Sequence, residues 1–131
     1  MNMEALAFTD CASLEQISIA EGSRFYLLDG CIIDKSLGSY HTVFLGCKSS
    51  TIPTNPLITH IGMNAFTTKS ITNSIVIPDN IVNIGDSAFA SCKALTQVEI
   101  GTGLVNLGND VFGRCDNLTT LTLRCTTPPV L

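Results

Sequence analysis

Tryptophan is absent from this chain, and only 14% of its residues are charged. The shortage of charge excludes a disordered polyelectrolyte. Chains that stay unfolded combine low hydrophobicity with high net charge, whereas here 45% of residues are hydrophobic and the formal net charge is −4. The few lysines and arginines are scattered singly. With no basic stripe to neutralise phosphates, neither nucleic acid nor an anionic membrane surface is an expected partner. No apolar run approaches the about 20 residues that cross a bilayer, so no membrane insertion is expected. The opening MNMEALAFTDCASLEQ has neither the basic n-region nor the long apolar h-region of a signal peptide. No Cys-x-x-Cys pair is present, which argues against structural zinc. Asp10, Asp29, Asp34, Asp79, Asp86, Asp110 and Asp116 never reach the dense spacing of a calcium loop. They read as turn and cap residues, and no metal or cofactor is expected.

What is present is a repeat. Ile84-Gly-Asp-Ser-Ala-Phe-Ala-Ser-Cys92 returns as Leu107-Gly-Asn-Asp-Val-Phe-Gly-Arg-Cys115, and Ile61-Gly-Met-Asn-Ala-Phe66 precedes both, all at a period of 23 residues without gaps. Ala7-Phe8, Cys11, Leu14, Ile17 and Ile19 fit the same frame. A fixed period in this range implies a solenoid, propeller or array. At 131 residues the chain suits one domain.

Each unit ends in a period-2 alternation: Ile17 with Ile19, Ile75 with Ile77, Val98 with Ile100, Leu121 with Leu123. That spacing marks a short half-buried strand. Stacked units would pair these strands into a parallel sheet with the aliphatic ladders pointing inward. Pro78 or Gly101 turns the chain, and a second apolar patch, Ile81 to Ile84 or Leu104 to Leu107, forms the opposite wall. Gly is expected to permit a turn there. Ala88 and Phe89 begin a tight turn, 3₁₀ in character, with the ring filling the space between the walls. Little helix is expected. Cys92 and Cys115 read as small buried hydrophobes rather than a disulfide, because side chains in one ladder run parallel and a bridge needs crossed geometry. The same expectation of no bridge applies to Cys31 and Cys47.

The pattern IGxxAFxxCxxLxxVxI resembles the BspA-type leucine-rich repeats of bacterial surface proteins, over residues 61–131 and again near residues 3–19. Thr126-Thr127-Pro128-Pro129 is similar to the closing segment of such arrays, and two prolines cannot donate to a further ladder. The resemblance implies a β-rich, right-handed leucine-rich-repeat solenoid of about four units (residues 3–25, 61–83, 84–106 and 107–131) in a single domain. Residues 24–60 break the pattern. Two apolar runs flank Asp34-Lys-Ser-Leu-Gly-Ser39, which reads as a β-hairpin insertion. Ile52-Pro53 rejoins the solenoid, and Asn55-Pro56 bulges from it. Lys69 and Thr72 stand where Cys and Leu are expected, with Ile71 taking the Leu place and Lys69 pointing to solvent. The first unit lacks its Ile-Gly opening, so its edge is uncapped; it reads as a piece of a longer array, or as an edge covered by the hairpin or, by self-association, by another copy.

For function, the resemblance implies a non-enzymatic cell-surface or secreted module that binds a protein partner, with adhesion to host matrix proteins the theme of the family. Two surfaces are candidates for partner binding. Phe25, Tyr26, Tyr40 and His41 lie on the insertion, and insertions carry function more often than scaffolds. Gln97, Glu99, Thr120 and Thr122 lie on the outward face of the repeat strands, beside Gln16, Ser18, Ser74 and Val76. That face is small, polar and flat, without an aromatic ring or hot-spot arginine, and a solvated surface is the plainer reading of it. The rival reading is a structural spacer, or the C-terminal piece of a longer surface protein, without a ligand of its own. A cysteine nucleophile, Cys47 with His41 or His60 as base, has no nucleophile elbow or acid partner to support it. Asn117-Leu-Thr119 matches a glycosylation acceptor by chance, and Asp86-Ser87-Ala88 reads as a turn.

Overall fold

The computed structural model describes residues 18–46, 51–68, 71 and 73–130. Cys11, Gln16, Cys47, Lys69 and Thr72 lie outside them, so the expectations placed on those side chains do too. Among the described residues the chain forms strands and turns and no helix. The strands are β1 (Phe25–Leu28), β2 (Cys31–Asp34), β3 (His41–Gly46), β4 (Ile58–Ile61), β5 (Asn73–Ile77), β6 (Asn83–Ile84), β7 (Leu95–Ile100), β8 (Asn106–Leu107) and β9 (Thr120–Leu123).

Two sheets make the walls of a solenoid. The period-2 segments β5, β7 and β9 pair in parallel, with Ile75 beside Val98 and Val98 beside Leu121. The second apolar patches pair in parallel as β4, β6 and β8, and β3 joins β4 on the same sheet. Ile77, Val98, Ile100, Ile58, Ile61, Ile81 and Ile84 are at most 2% exposed. Leu121 and Leu123, expected to point inward, are 50% and 48% exposed. The reason is position: β9 is the edge strand of its sheet, and among the described residues no further coil covers them.

The corner between the walls is where the nine-residue motif sits. Phe66, Phe89 and Phe112 stack along the axis, with ring centroids 4.9 and 5.6 Å apart and planes within 7° and 16°. Phe66 and Phe89 are fully buried. The turn is not a 3₁₀ segment. Asn64 and Thr68, Ser87 and Ser91, and Asp110 and Arg114 all have positive φ, which interrupts a right-handed helix at every unit. The backbone instead bonds from coil to coil: the N–H groups of Ser87, Phe89 and Ser91 donate to the carbonyls of Asn109, Val111 and Gly113 at 2.9, 2.9 and 2.7 Å.

The glycine after the aliphatic plays a different part from the one expected. Gly85 does not have positive φ. A Cβ there would lie 2.6 Å from the backbone nitrogen of Met63, so the residue is small because adjacent coils touch through their backbones. The cysteine is also more than a hydrophobe. Cys92 Sγ donates to Phe66 O and Cys115 Sγ to Phe89 O, each at 3.1 Å. Each thiol thus ties a coil to the phenylalanine of the one before.

Ahead of β4, the insertion holds three strands rather than the two of a simple hairpin. β1, β2 and β3 form an antiparallel meander. The first apolar run is itself folded over at Asp29-Gly30, whose φ values of 51° and 77° suit a two-residue turn. Cys31, Ile33 and Val43 join the same buried cluster as the solenoid isoleucines. The meander is therefore part of the core and covers the N-terminal end of the second sheet.

Candidate functional site

Side chains on the meander alternate between its faces. Phe25 packs on Phe44, centroids 5.2 Å apart, with the Arg24 guanidinium 4.7 Å over the Phe25 ring. Arg24 also pairs with Asp34 at 3.2 Å. On the other face the Tyr26 hydroxyl meets His41 Nδ1 at 2.7 Å, the rings edge to face at 5.5 Å. Burial pushes the Tyr26 hydroxyl above its ordinary range, so it stays neutral, able to donate to a bare Nδ1 or to accept from a protonated one according to the His41 tautomer.

Tyr40 faces the solenoid. Its ring stacks on His60 with centroids 4.1 Å apart and planes 17° from parallel. His60 was not among the sequence candidates for binding, yet it joins the meander to the coils. Its Nδ1 lies 2.8 Å from Thr59 Oγ1, and its Nε2 lies 2.7 Å from Asn83 Nδ2. Asn106 Nδ2 in turn donates to Asn83 Oδ1. His60, Asn83 and Asn106 are register neighbours on β4, β6 and β8, so the ladder runs across three coils. The signal was in the sequence, because these three positions recur at the period of 23.

An amide nitrogen only donates, so His60 Nε2 accepts and its proton sits on Nδ1 facing Thr59. Protonation would require the Asn83 amide, and with it Asn106, to turn over. Partial burial also holds the His60 pKa below its ordinary value of 6.5. The unfolded chain therefore binds a proton at a higher pH than the folded one, and stability falls as pH falls. We predict constant stability from this group above about pH 6.5, and a decline below that which levels off under the folded pKa. Urea midpoints measured across that window test it. His60→Gln should flatten the dependence, and an unchanged slope in that variant would remove His60 as the cause.

The other four candidates lie on a different sheet. Gln97 stands beside Thr120, and Glu99 beside Thr122, on the outward face of β7 and β9. Glu99 is engaged: Arg124 Nε lies 3.0 Å from its Oε1, while Arg124 Nη2 lies 2.8 Å from Asp79 Oδ1. Asp79 accepts the Thr102 backbone N–H, and that bond, with Arg124, holds its carboxyl below the ordinary range. The eight sequence candidates therefore divide between two sheets, four on the meander and four on the repeat strands. Among the described residues no cluster of three His, Cys, Asp or Glu side chains could hold a metal ion. No described helix is long and apolar enough to cross a membrane.

The comparisons with known proteins agree with this geometry. A family model described as "BspA type Leucine rich repeat region (6 copies)" matches residues 3–128. No curated protein matches the chain. The structure is similar to a leucine rich cell surface protein from Faecalibacterium prausnitzii A2-165, with a TM-score of 0.72 and 25% identity over 86% of this chain. The match spans only 30% of that longer protein. It is also similar in fold to a leucine-rich repeat protein from Bacteroides capillosus ATCC 29799, with a TM-score of 0.63 and 18% identity over 78% of this chain and 99% of that one. With the repeat, the phenylalanine stack and the matched family model in agreement, the chain belongs to the BspA-type leucine-rich repeat family.

Proposed function

We propose that this chain is a non-enzymatic protein-binding module displayed at the cell surface or secreted, with its partner site on the aromatic meander. The observation that carries the reading is the ring cluster. Phe25, Tyr26, Tyr40 and His41 are each only partly buried, and each is held by a neighbouring ring. Rings fixed in place lose little freedom when a partner covers them, which is how aromatic anchors dominate interfaces. The cell-surface description of the Faecalibacterium neighbour supports the location, and host matrix proteins are the partner class to try first.

The test is saturable binding of the purified chain to immobilised matrix proteins and glycans. Tyr40→Ala with His41→Ala is expected to weaken binding about 30-fold, a loss of about 2 kcal/mol. The variant's thermal unfolding is checked so that lost binding is not lost folding. Gln97→Ala with Thr120→Ala should change little. Equal binding by the ring variant would sink the site assignment.

A spacer without its own ligand is the second reading. One observation favours it: Tyr26 and Tyr40 already have histidine partners within the chain, and Glu99 is already paired with Arg124. Absence of binding across the whole panel would select it.

A further inference from the structure

We infer that His60 heads a proton relay: a proton taken up by its imidazole turns the Asn83 and Asn106 amides over together, and the free end of the row changes from a hydrogen-bond acceptor to a donor two coils away. The relay lies on β4, β6 and β8 and does not depend on the partner site proposed above.

The row runs in one direction. Asn83 Nδ2 donates to His60 Nε2 at 2.7 Å, and Asn106 Nδ2 donates to Asn83 Oδ1. Asn106 is exposed, and with its nitrogen turned inward the atom it leaves for solvent is the acceptor Oδ1. The three residues follow one another by 23 positions, in register on neighbouring strands. A primary amide carries an acceptor on one branch and a donor on the other. Turning over one amide alone sets oxygen against oxygen or nitrogen against nitrogen. Only two arrangements satisfy the row: both amides one way up, or both the other.

Histidine makes the choice titratable. The neutral ring leaves Nε2 bare to accept from Asn83. An imidazolium carries a proton on both nitrogens, and its Nε2–H needs an oxygen where the Asn83 nitrogen stands. Nδ1 asks for no change, because Thr59 Oγ1, 2.8 Å away, accepts its proton in either state. Turning the Asn83 amide brings Oδ1 to Nε2–H and points Nδ2 at Asn106. Asn106 must then turn to offer its own Oδ1, and the free end of the row becomes an N–H donor.

The surroundings of the ring leave this response to the row. Among the described residues, Tyr40 from the meander covers one face of the ring at 4.1 Å, and Thr42 and Asn83 are the register neighbours of His60 on β3 and β6. None of these side chains is charged near neutral pH. The Tyr40 ring attracts an imidazolium through its face, which offsets part of the cost of burial. Asp86 lines one groove with His60, Met63, Asn83 and Asn106, and its Oδ1 is taken by the Asn109 N–H at 2.8 Å. His41 is tied to Tyr26 at 2.7 Å, and among the described residues no bond joins it to the row. The groove thus offers a carbonyl together with the Asp86 carboxylate near neutral pH, and an amide N–H in place of that carbonyl in acid.

The test is NMR of the full isotope-labelled chain, titrated downward from about pH 7.5 through the histidine range. The His60 ring and the side-chain amides of Asn83 and Asn106 should titrate with one midpoint. The nuclear Overhauser contact between the Asn83 NH2 protons and the His60 ring should be lost across that midpoint, while a contact from the same protons to the Asn106 side chain grows. His60→Gln should abolish the response at Asn106, and His41→Gln should leave it in place. Asn83→Ala keeps a histidine that titrates and should cut Asn106 off from it. The methyl signals of the buried isoleucines report that each variant is folded. The relay is overturned if the Asn83 contact to the ring persists in acid, or if Asn106 still titrates in His60→Gln or in Asn83→Ala. A His60 ring that stays neutral down to the pH of unfolding would overturn it as well.

Discussion

Phe89→Ala is expected to cost about 4 kcal/mol, measured as the shift in urea unfolding. The ring is fully buried between Phe66 and Phe112, so truncation loses the transfer of a benzyl group and leaves a cavity between two coils. Neither neighbour can collapse into it easily. Phe66 and Phe112 are held at fixed rise by the coil-to-coil hydrogen bonds of the corner. A domain of this size is stable by only about 5–15 kcal/mol in total, so this one change removes a large share. It should also fall unevenly. In a stacked array stability is close to a sum of units and nearest-neighbour interfaces, and Phe89 sits in two of those interfaces. Exchange of the amides from Cys115 to Leu123 should therefore accelerate more than that of β1 to β3. Phe112→Ala should cost about half as much, because that ring has a neighbour on one side and is only half-buried. If the two variants lost equal stability, the phenylalanine stack would not be the coupling between coils.

That asymmetry bears on what the sequence could disclose. Phe66, Phe89 and Phe112 recur at equal spacing, and in a solenoid equal spacing is equal position. The walls, the corner and the buried cysteines were legible for the same reason. Polar positions obey the rule too. His60, Asn83 and Asn106 were readable as a ladder once the period was carried beyond the apolar residues. Other contacts have no period. The Tyr40–His60 stack crosses from the meander to the coils, and Arg124 reaches over a whole coil to Asp79. Long, flexible or inserted side chains choose such partners by tertiary placement, which spacing along the chain does not encode. The strand β1 is a different case. Its Asp29-Gly30 turn was written plainly in the sequence, but the apolar residues on both sides of it, Phe25 to Leu28 and Cys31 to Ile33, read together as one run.

The way the meander is seated on the solenoid yields the second large effect: Gly46→Ala is expected to cost about 3 kcal/mol by overpacking. Gly46 lies at the end of β3, directly over the face of Phe66 that Phe89 does not cover. A Cβ at this position would fall 1.9 Å from Cε1 and 2.3 Å from Cδ1 of the Phe66 ring. The ring has nowhere to retreat, since its other face is stacked at 4.9 Å on Phe89. The strand must lift instead. Lifting β3 strains the bonds from Gly46 N–H to Ala65 O and from Gly62 N–H to Val43 O, both 2.8 Å, and draws Tyr40 away from His60. The expected signature is faster amide exchange through His41–Gly46 with the coils beyond β6 protected as before. Partner binding through Tyr40 and His41, where it exists, should be lost in parallel. Shrinking the ring in the same chain, as Gly46→Ala with Phe66→Leu, should return part of the loss, so that the two changes cost less together than their sum. Full additivity would mean that Phe66 and the meander do not meet through Gly46, and the cap at the N-terminal end of the phenylalanine stack would have to be sought elsewhere.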